Sequence, residues 1–334
     1  CRVMAGGSLA HRPDGTEAGA SQQTPSSDEA RPISASDVDA LVALSNEMGG
    51  FWQMYQRPQW EMILDCVTSA WTLSPEGVEV LSCCGTGAAY DQVVECCDGG
   101  GASGGVTCIG MMFTRPCCRG QGLATRVLAA LLDEAARSGR LPALVATDEG
   151  RYVYEKMGFV SIGKTHRVTG SMDAALKLVL VATTGDRFSV KHESDDGVLR
   201  EAFFDLDRRA SGLERCQMLE KWLLHNGACL SLAYDSVGMP VGAAVSMIKA
   251  GALMIGPALG KGDAVVAIVN SLATSASKEG ATKMSITLQS NDVARTFLAA
   301  GFERVMALET MTLGGKPLPG QREEYIAMVH PALG

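Results

Sequence analysis

Six consecutive residues, Arg119-Gly120-Gln121-Gly122-Leu123-Ala124, have the types and order of an anion cradle. Two glycines one residue apart let the backbone turn sharply and come close to a ligand. The residues that follow carry Leu123, Val127, Leu128, Leu131 and Leu132 at helical spacing and read as an amphipathic helix over 123–138. The apolar run before them, 108–113, reads as a buried strand. Strand, glycine turn and helix start, in that order, aim unpaired N–H groups and the positive end of a helix dipole at one point, which suits a pyrophosphate. Two commoner phosphate motifs are excluded. No Lys-Ser or Lys-Thr pair follows the second glycine, and the third glycine of a dinucleotide fingerprint is missing.

The elements that must hold this turn can be read on either side of it. Ser36 and Asp37 lead into Val38, Leu41, Val42 and Leu44 at helical spacing, and a second helical stretch carries Trp52, Tyr55, Trp60 and Ile63. Three strands are predicted next, at 77–84, 89–97 and 106–113, divided by glycine-rich turns at 85–87 and 99–105. Beyond the cradle helix, Leu144-Val145-Ala146-Thr147 reads as a buried strand. A short helix over 150–157 then carries Tyr154-Glu155-Lys156, and Gly158-Phe159 opens a last strand.

On Arg119, Gly122 and Ala124, and on the Tyr154-Glu155-Lys156-Met157-Gly158-Phe159 ending, the chain resembles the GNAT superfamily of coenzyme A-dependent N-acetyltransferases. The order of helices and strands is also the one that superfamily uses. The resemblance implies an α/β fold with a mixed sheet, in which two adjacent parallel strands splay and acetyl-CoA lies in the opening as cosubstrate, with no metal. It implies that the backbone of Met112, Phe113 and Thr114 pairs with the pantetheine arm, and that amides from Arg119 to Ala124 hold the pyrophosphate. Tyr154 falls where the family keeps a tyrosine at the CoA sulfur, so it is the general-acid candidate; the alternative is a core aromatic beside Phe159. Thr147 stands where many relatives carry Asn and joins the cofactor set. No general base is visible in the motifs. Asp148 and Glu149 follow the strand beside the cleft and are candidates, directly or through water, although an acidic pair opening a helix also serves as a dipole-favoured cap. His166 reads as a partly exposed strand residue.

The second half repeats the first. A hairpin is read over 241–248 and 253–257, a helix over 264–277, a strand over 284–288, and a helix from Asn291 closing on Gly301-Phe302. Asp207, Ala210, Gly212 and Arg215, with Ile255-Gly256-Pro257, resemble the C-terminal domain of two-domain GNAT proteins. Asp207 is read as structural. Where the cradle belongs, Asp263 sits at the helix start and would repel a phosphate, and position 154 corresponds to Phe297 or Leu298, neither of which donates a proton. The expected organisation is a disordered tail over 1–30, a catalytic domain over 31–170, a linker over 171–188 and a non-catalytic copy over 189–334.

Composition limits the function classes. The chain has 334 residues, 46% hydrophobic, enough for two ordinary cores. A net charge of −8, with basic residues scattered, argues against broad nucleic-acid binding, and no apolar run reaches membrane-spanning length. Eleven cysteines include the adjacent pairs 83/84, 96/97 and 117/118 but no Cys-x-x-Cys, so free thiols in a reducing, cytoplasmic setting are expected. The chain opens on Cys1, and a targeting segment is neither read nor excluded. The expected activity is direct attack of a primary amine, on a small molecule or a peptide, on acetyl-CoA in a ternary complex. The alternative is a non-catalytic acyl-CoA-binding or scaffold protein. Acceptor identity and oligomeric state are not encoded in any motif.

Overall fold

The computed structural model describes residues 29–75, 80–93, 104–178, 188–193, 198–226 and 228–334. Most of the 1–30 tail, the end of the strand expected at 89–97, the Cys96/Cys97 pair and half of the 171–188 linker lie outside them.

The first half runs β1 (Arg31–Pro32), α1 (Val38–Met48), α2 (Arg57–Cys66), β2 (Ser69–Leu73), β3 (Cys83–Tyr90), β4 (Val106–Thr114), α3 (Leu123–Arg137), β5 (Leu141–Ala146), α4 (Asp148–Lys156), β6 (Phe159–Ser171) and α5 (Met172–Lys177). The second half follows with β7 (Ser189–His192), α6 (Val198–Ser211), α7 (Cys216–Asn226), β8 (Cys229–Tyr234), β9 (Pro240–Lys249), β10 (Ala252–Gly260), α8 (Gly262–Lys278), β11 (Lys283–Leu288), α9 (Asn291–Ala299), β12 (Glu303–Leu313) and β13 (Tyr325–Ala327). From β1 to β6 and from β7 to β12 the order is the same, element for element. Even the caps repeat: Thr147 accepts from the Gly150 N–H at the start of α4, and Ser290 accepts from the Val293 N–H at the start of α9.

All strands join one mixed sheet, ordered β1-β2-β3-β4-β5-β12-β6-β11-β13-β10-β9-β8-β7. Its centre is an exchange. β12 pairs with β5 of the first half, from Glu309↔Ala146 to Thr312↔Ala143, while β6 pairs with β11 of the second, from Lys283↔Ser171 to Leu288↔His166. The two exchanged strands run antiparallel to each other from Glu303↔Thr169 to Leu313↔Phe159. Separating the halves would break these ladders and strand their backbone groups.

On one face α3 buries Leu123, Val127, Leu128 and Leu131 against Ile109, Leu144 and Met311, and α8 does the same with Val265, Ile268 and Leu272 against Leu253 and Ile286. On the other face one core joins α1 and α2 to α6 and α7, with Met328, Val329, Ala332 and Leu333 between them. Asp207 and Arg215 are 2% and 1% exposed by side chain and pair at 2.5 Å, and Arg215 also donates to Tyr325 Oη and the Gly334 carbonyl at 2.9 Å. That ion pair ties α6 to β13 and the last residues. No helix among the described residues is long and apolar enough to cross a membrane.

Several expectations need correction. Residues 85–87 are not a turn but the middle of β3. A Cβ on Gly85 would lie 2.3 Å from Met112 Sδ, and one on Gly87 3.1 Å from Leu131 Cδ2, so these glycines let β4 and α3 pack tightly onto the strand. Of the strand expected at 77–84, residues 77–79 lie outside the described residues and 80–82 are not strand, so β3 starts at Cys83; of that expected at 89–97, the described part ends at Tyr90, and β2 was not foreseen. His166 is buried, 5% exposed, and its Nε2 lies 2.8 Å from Asn291 Oδ1. Cys83 and Cys84 point to opposite cores, and the eight described cysteines are free thiols.

Candidate functional site

The site begins with a break in the sheet. β4 and β5 run parallel from Val106↔Leu141 to Ile109↔Leu144 and then part. The cause is a bulge: Thr86 faces Gly110 and Cys84 faces Phe113, so Gly85 alone opposes both Met111 and Met112. Met111 takes the extra turn at φ 49°. Beyond it β4 continues along β3 only, and the edge it turns toward β5 has no strand partner among the described residues. A cleft of about 490 Å³ opens there.

Most of the residues singled out in the sequence meet at this cleft. Met112, Phe113 and Thr114 form one wall, and Arg119, Gly120, Gly122, Leu123 and Ala124 form its end at the start of α3. Thr147, Glu149 and Tyr154 form the opposite wall. Gln121 is exposed on the loop, and Asp148 is exposed beside Glu149 without lining the cleft. The loop is open: Gly120 and Gly122 sit at φ 77° and 74°, where a side chain is disfavoured, and a Cβ on either would meet nothing within 4 Å. The first turn of α3 holds no acidic residue. Arg119 folds back, its Nε donating to the Thr114 carbonyl at 3.4 Å.

Tyr154 is half-buried on α4, edge-on to Phe159 at 6.1 Å between ring centroids. Gly150, one turn earlier, makes room: a Cβ there would lie 3.0 Å from Tyr154 Cε2. Burial raises the Tyr154 pKa, and nearby Cys83 raises it further, so the phenol holds its proton. Sequence reasoning missed Met48 and Trp52, which reach the cleft from α1 and the turn after it. Trp52 packs edge-on to Phe113 at 4.7 Å. The aromatic content of that stretch was the available signal; the long-range contact with β4 was not.

The equivalent place in the second half is closed. β10 and β11 run parallel from Ala252↔Lys283 to Ile255↔Ile286 and also part, but β13 fills the gap. It pairs Ala258↔Ala327 and Leu259↔Tyr325 on one side and Leu288↔Ala327 on the other. Gly256 permits this, since a Cβ there would lie 2.3 Å from the Met328 carbonyl oxygen. No cradle loop exists either. β10 runs to Gly260 and α8 starts at Gly262, against eight residues between β4 and α3, and Asp263 lies in the first turn of α8. Phe297 is fully buried against Phe302 at 5.0 Å, matching Tyr154 on Phe159 but without a hydroxyl.

Two GNAT acetyltransferase domain models match the chain, one over residues 83–161 and the other over 203–327. No curated protein matches by sequence. Among solved structures, a putative acetyltransferase from Pyrococcus horikoshii is similar over 91% of this chain and 95% of its own, at 18% identity and a TM-score of 0.68. A tandem GNAT protein from the clavulanic acid biosynthesis pathway is similar over 86% of this chain and 99% of its own, at 14% identity and a TM-score of 0.59. Saccharomyces cerevisiae N-myristoyltransferase, solved with bound myristoyl-CoA, covers 91% of this chain and 90% of its own, at 10% identity and a TM-score of 0.58. At these identities the likeness is one of fold. With a domain match in each half and the same element order twice, the chain belongs to the GNAT superfamily, as a tandem protein whose two GNAT domains share one sheet.

Proposed function

We propose that the first half, residues 31–170, is an acetyl-CoA-dependent N-acetyltransferase and that the second, 189–334, is a non-catalytic copy. The observation that carries this is the contrast between the two splayed strand pairs. One is an open cleft that ends on a glycine loop at a helix start; the other is filled by β13 and lacks the loop. An acyl-CoA fits the open cleft by the chemistry of its walls: amides of 119–124 for a pyrophosphate, the edge of Met112–Thr114 that has no strand partner among the described residues for an amide-bearing arm, and Tyr154 for the sulfur.

In this reading a neutral primary amine attacks the thioester carbonyl in a ternary complex. The C–N bond forms, the C–S bond breaks, and Tyr154 donates its proton or a hydrogen bond to the departing sulfur. Its raised pKa keeps the phenol protonated and suits the hydrogen bond to the departing sulfur better than full transfer of the proton. Glu149, on the cleft wall, takes the amine proton directly or through water, with Asp148 beside it as the second candidate. The test is thiol release from acetyl-CoA across a panel of small amines and peptides. Saturable release with at least one acceptor supports the transferase, whereas tight acetyl-CoA binding with no release from any acceptor would favour a non-catalytic acyl-CoA-binding protein.

A further inference from the structure

A second cavity, of about 100 Å³, lies on the face of the sheet that carries α1 and α2, where the halves meet. Tyr55, Trp222 and His330 wall it with Met54, Met62, Met247 and Met254, while Arg167 from β6 and Lys249 from β9 bring two half-buried cations to it. No Asp or Glu is among the described residues that line it. It adjoins the acyl-CoA cleft through a shared aromatic wall. Tyr55 stacks on Trp52 at 6.0 Å and tilts against Phe113 at 6.3 Å, and both of those rings line the cleft.

Arg167, Lys249 and Trp222 bring donors only, beside Gln59, Ser285 and Thr287, which can also accept. The Ala332 N–H donates to His330 Nδ1 at 3.1 Å, so in the neutral ring the proton sits on Nε2. Nε2–H then donates to Tyr55 Oη at 2.9 Å. Burial, with Arg167 and Lys249 adding to it, pushes the His330 pKa down to about 3, so the ring is neutral at pH 7. Burial also lowers the pKa of both cations. Methionine walls adapt to varied apolar groups.

We propose that this cavity is the acceptor compartment and that it takes a primary amine carrying a carboxylate, held by Arg167 and Lys249, with an apolar side chain among the methionines. The proposal rests on the transferase reading for the amine's fate, but not for the binding of the carboxylate. A net charge of −8 points the other way, toward cationic acceptors, yet the local cations decide at contact distance because exposed charges farther off are screened.

The test uses leucine, methionine and phenylalanine as free acids and as their amides, compared at equal concentrations of the neutral amine. Thiol release should favour the acids about 10- to 100-fold in kcat/KM, mainly through KM. That ratio should fall toward 1 in Arg167→Gln and in Lys249→Gln, and should be largely retained in Arg167→Lys, which keeps the cation. Amides that serve as well as acids, or a ratio unchanged in both glutamine variants of a folded protein, would overturn the proposal. Calorimetry of the same acids with the acetyl-CoA-loaded protein separates the two readings. If no amine releases thiol but acid binding is seen and is lost in Arg167→Gln, the transferase reading fails and the carboxylate site stands. If no acid binds, the carboxylate site fails whatever the turnover.

Discussion

Replacing Gly122 with valine separates backbone strain from ligand binding, because the chain supplies its own control. Gly122 at φ 74° starts α3, and Gly139 at φ 64° follows its end. A Cβ on either meets nothing within 4 Å, so neither substitution causes a clash inside the protein. Each forces a β-branched residue into the left-handed region, at a cost of roughly 1–2 kcal/mol, or a few degrees in Tm. The two positions are separated by a 15-residue helix, about 22 Å long at 1.5 Å per residue. Only Gly122 lines the cleft, where its side-chain-free backbone leaves room for an anion against the helix amides. Losing one such charge-assisted hydrogen bond costs about 1.5–3 kcal/mol, so acetyl-CoA affinity should fall roughly 10- to 100-fold in Gly122→Val. Gly139→Val should lose similar stability and bind normally. Thermal unfolding and acetyl-CoA calorimetry on both variants measure the two effects. Wild-type affinity in Gly122→Val, or equal affinity losses in the two variants, would refute the assignment of the loop.

Tyr154→Phe keeps the ring against Phe159 and removes the donor, so stability should hold while kcat for thiol release falls roughly 10²-fold; full kcat in the folded variant would make Tyr154 core packing only. Asp207→Asn leaves Arg215 charged in a site where it is 2% exposed, and should cost about 3–5 kcal/mol in urea unfolding; a loss under 1 kcal/mol would mean the pair does not tie α6 to β13 and the last residues. The pKa of His330 is lowered to about 3 in the fold from an ordinary 6.5. The unfolded chain therefore binds the proton first, and the stability present above pH 6.5 is lost as pH falls toward 3. Between pH 7 and 5 the wild type should lose about 2 kcal/mol more than His330→Gln, and parallel pH profiles would contradict the buried, neutral ring.

What was legible in the sequence was local. The glycine loop, the amphipathic stripe of α3 and the short helix bearing Tyr154 each lie within one run of residues, where spacing and turn chemistry decide the conformation. The repeat was legible for the same reason, since it compares one local pattern with another. The exchange of β6 and β12 was not, because either strand could satisfy its backbone beside β5, and the choice depends on residues some 150 positions apart. Gly85 and Gly87 read as a turn because glycine signals both a bend and a close approach, and only α3 lying on β3 distinguishes the two. The closing of the second cleft was illegible too. Asp263 gave a local reason for silence, whereas Tyr325–Ala327 is too short to announce itself as a strand until β10 and β11 part around it.

The most direct test of an asymmetric tandem protein is the stoichiometry of acetyl-CoA binding, measured by titration calorimetry on the full chain. One equivalent should bind per chain, and Gly122→Val should weaken that single event while Gly256→Ala, which presses on the Met328 carbonyl in the second half, should leave its affinity in place. Two equal sites per chain, or a single site that survives Gly122→Val and disappears in a folded Gly256→Ala, would place the coenzyme in the wrong half and contradict the division of labour proposed here.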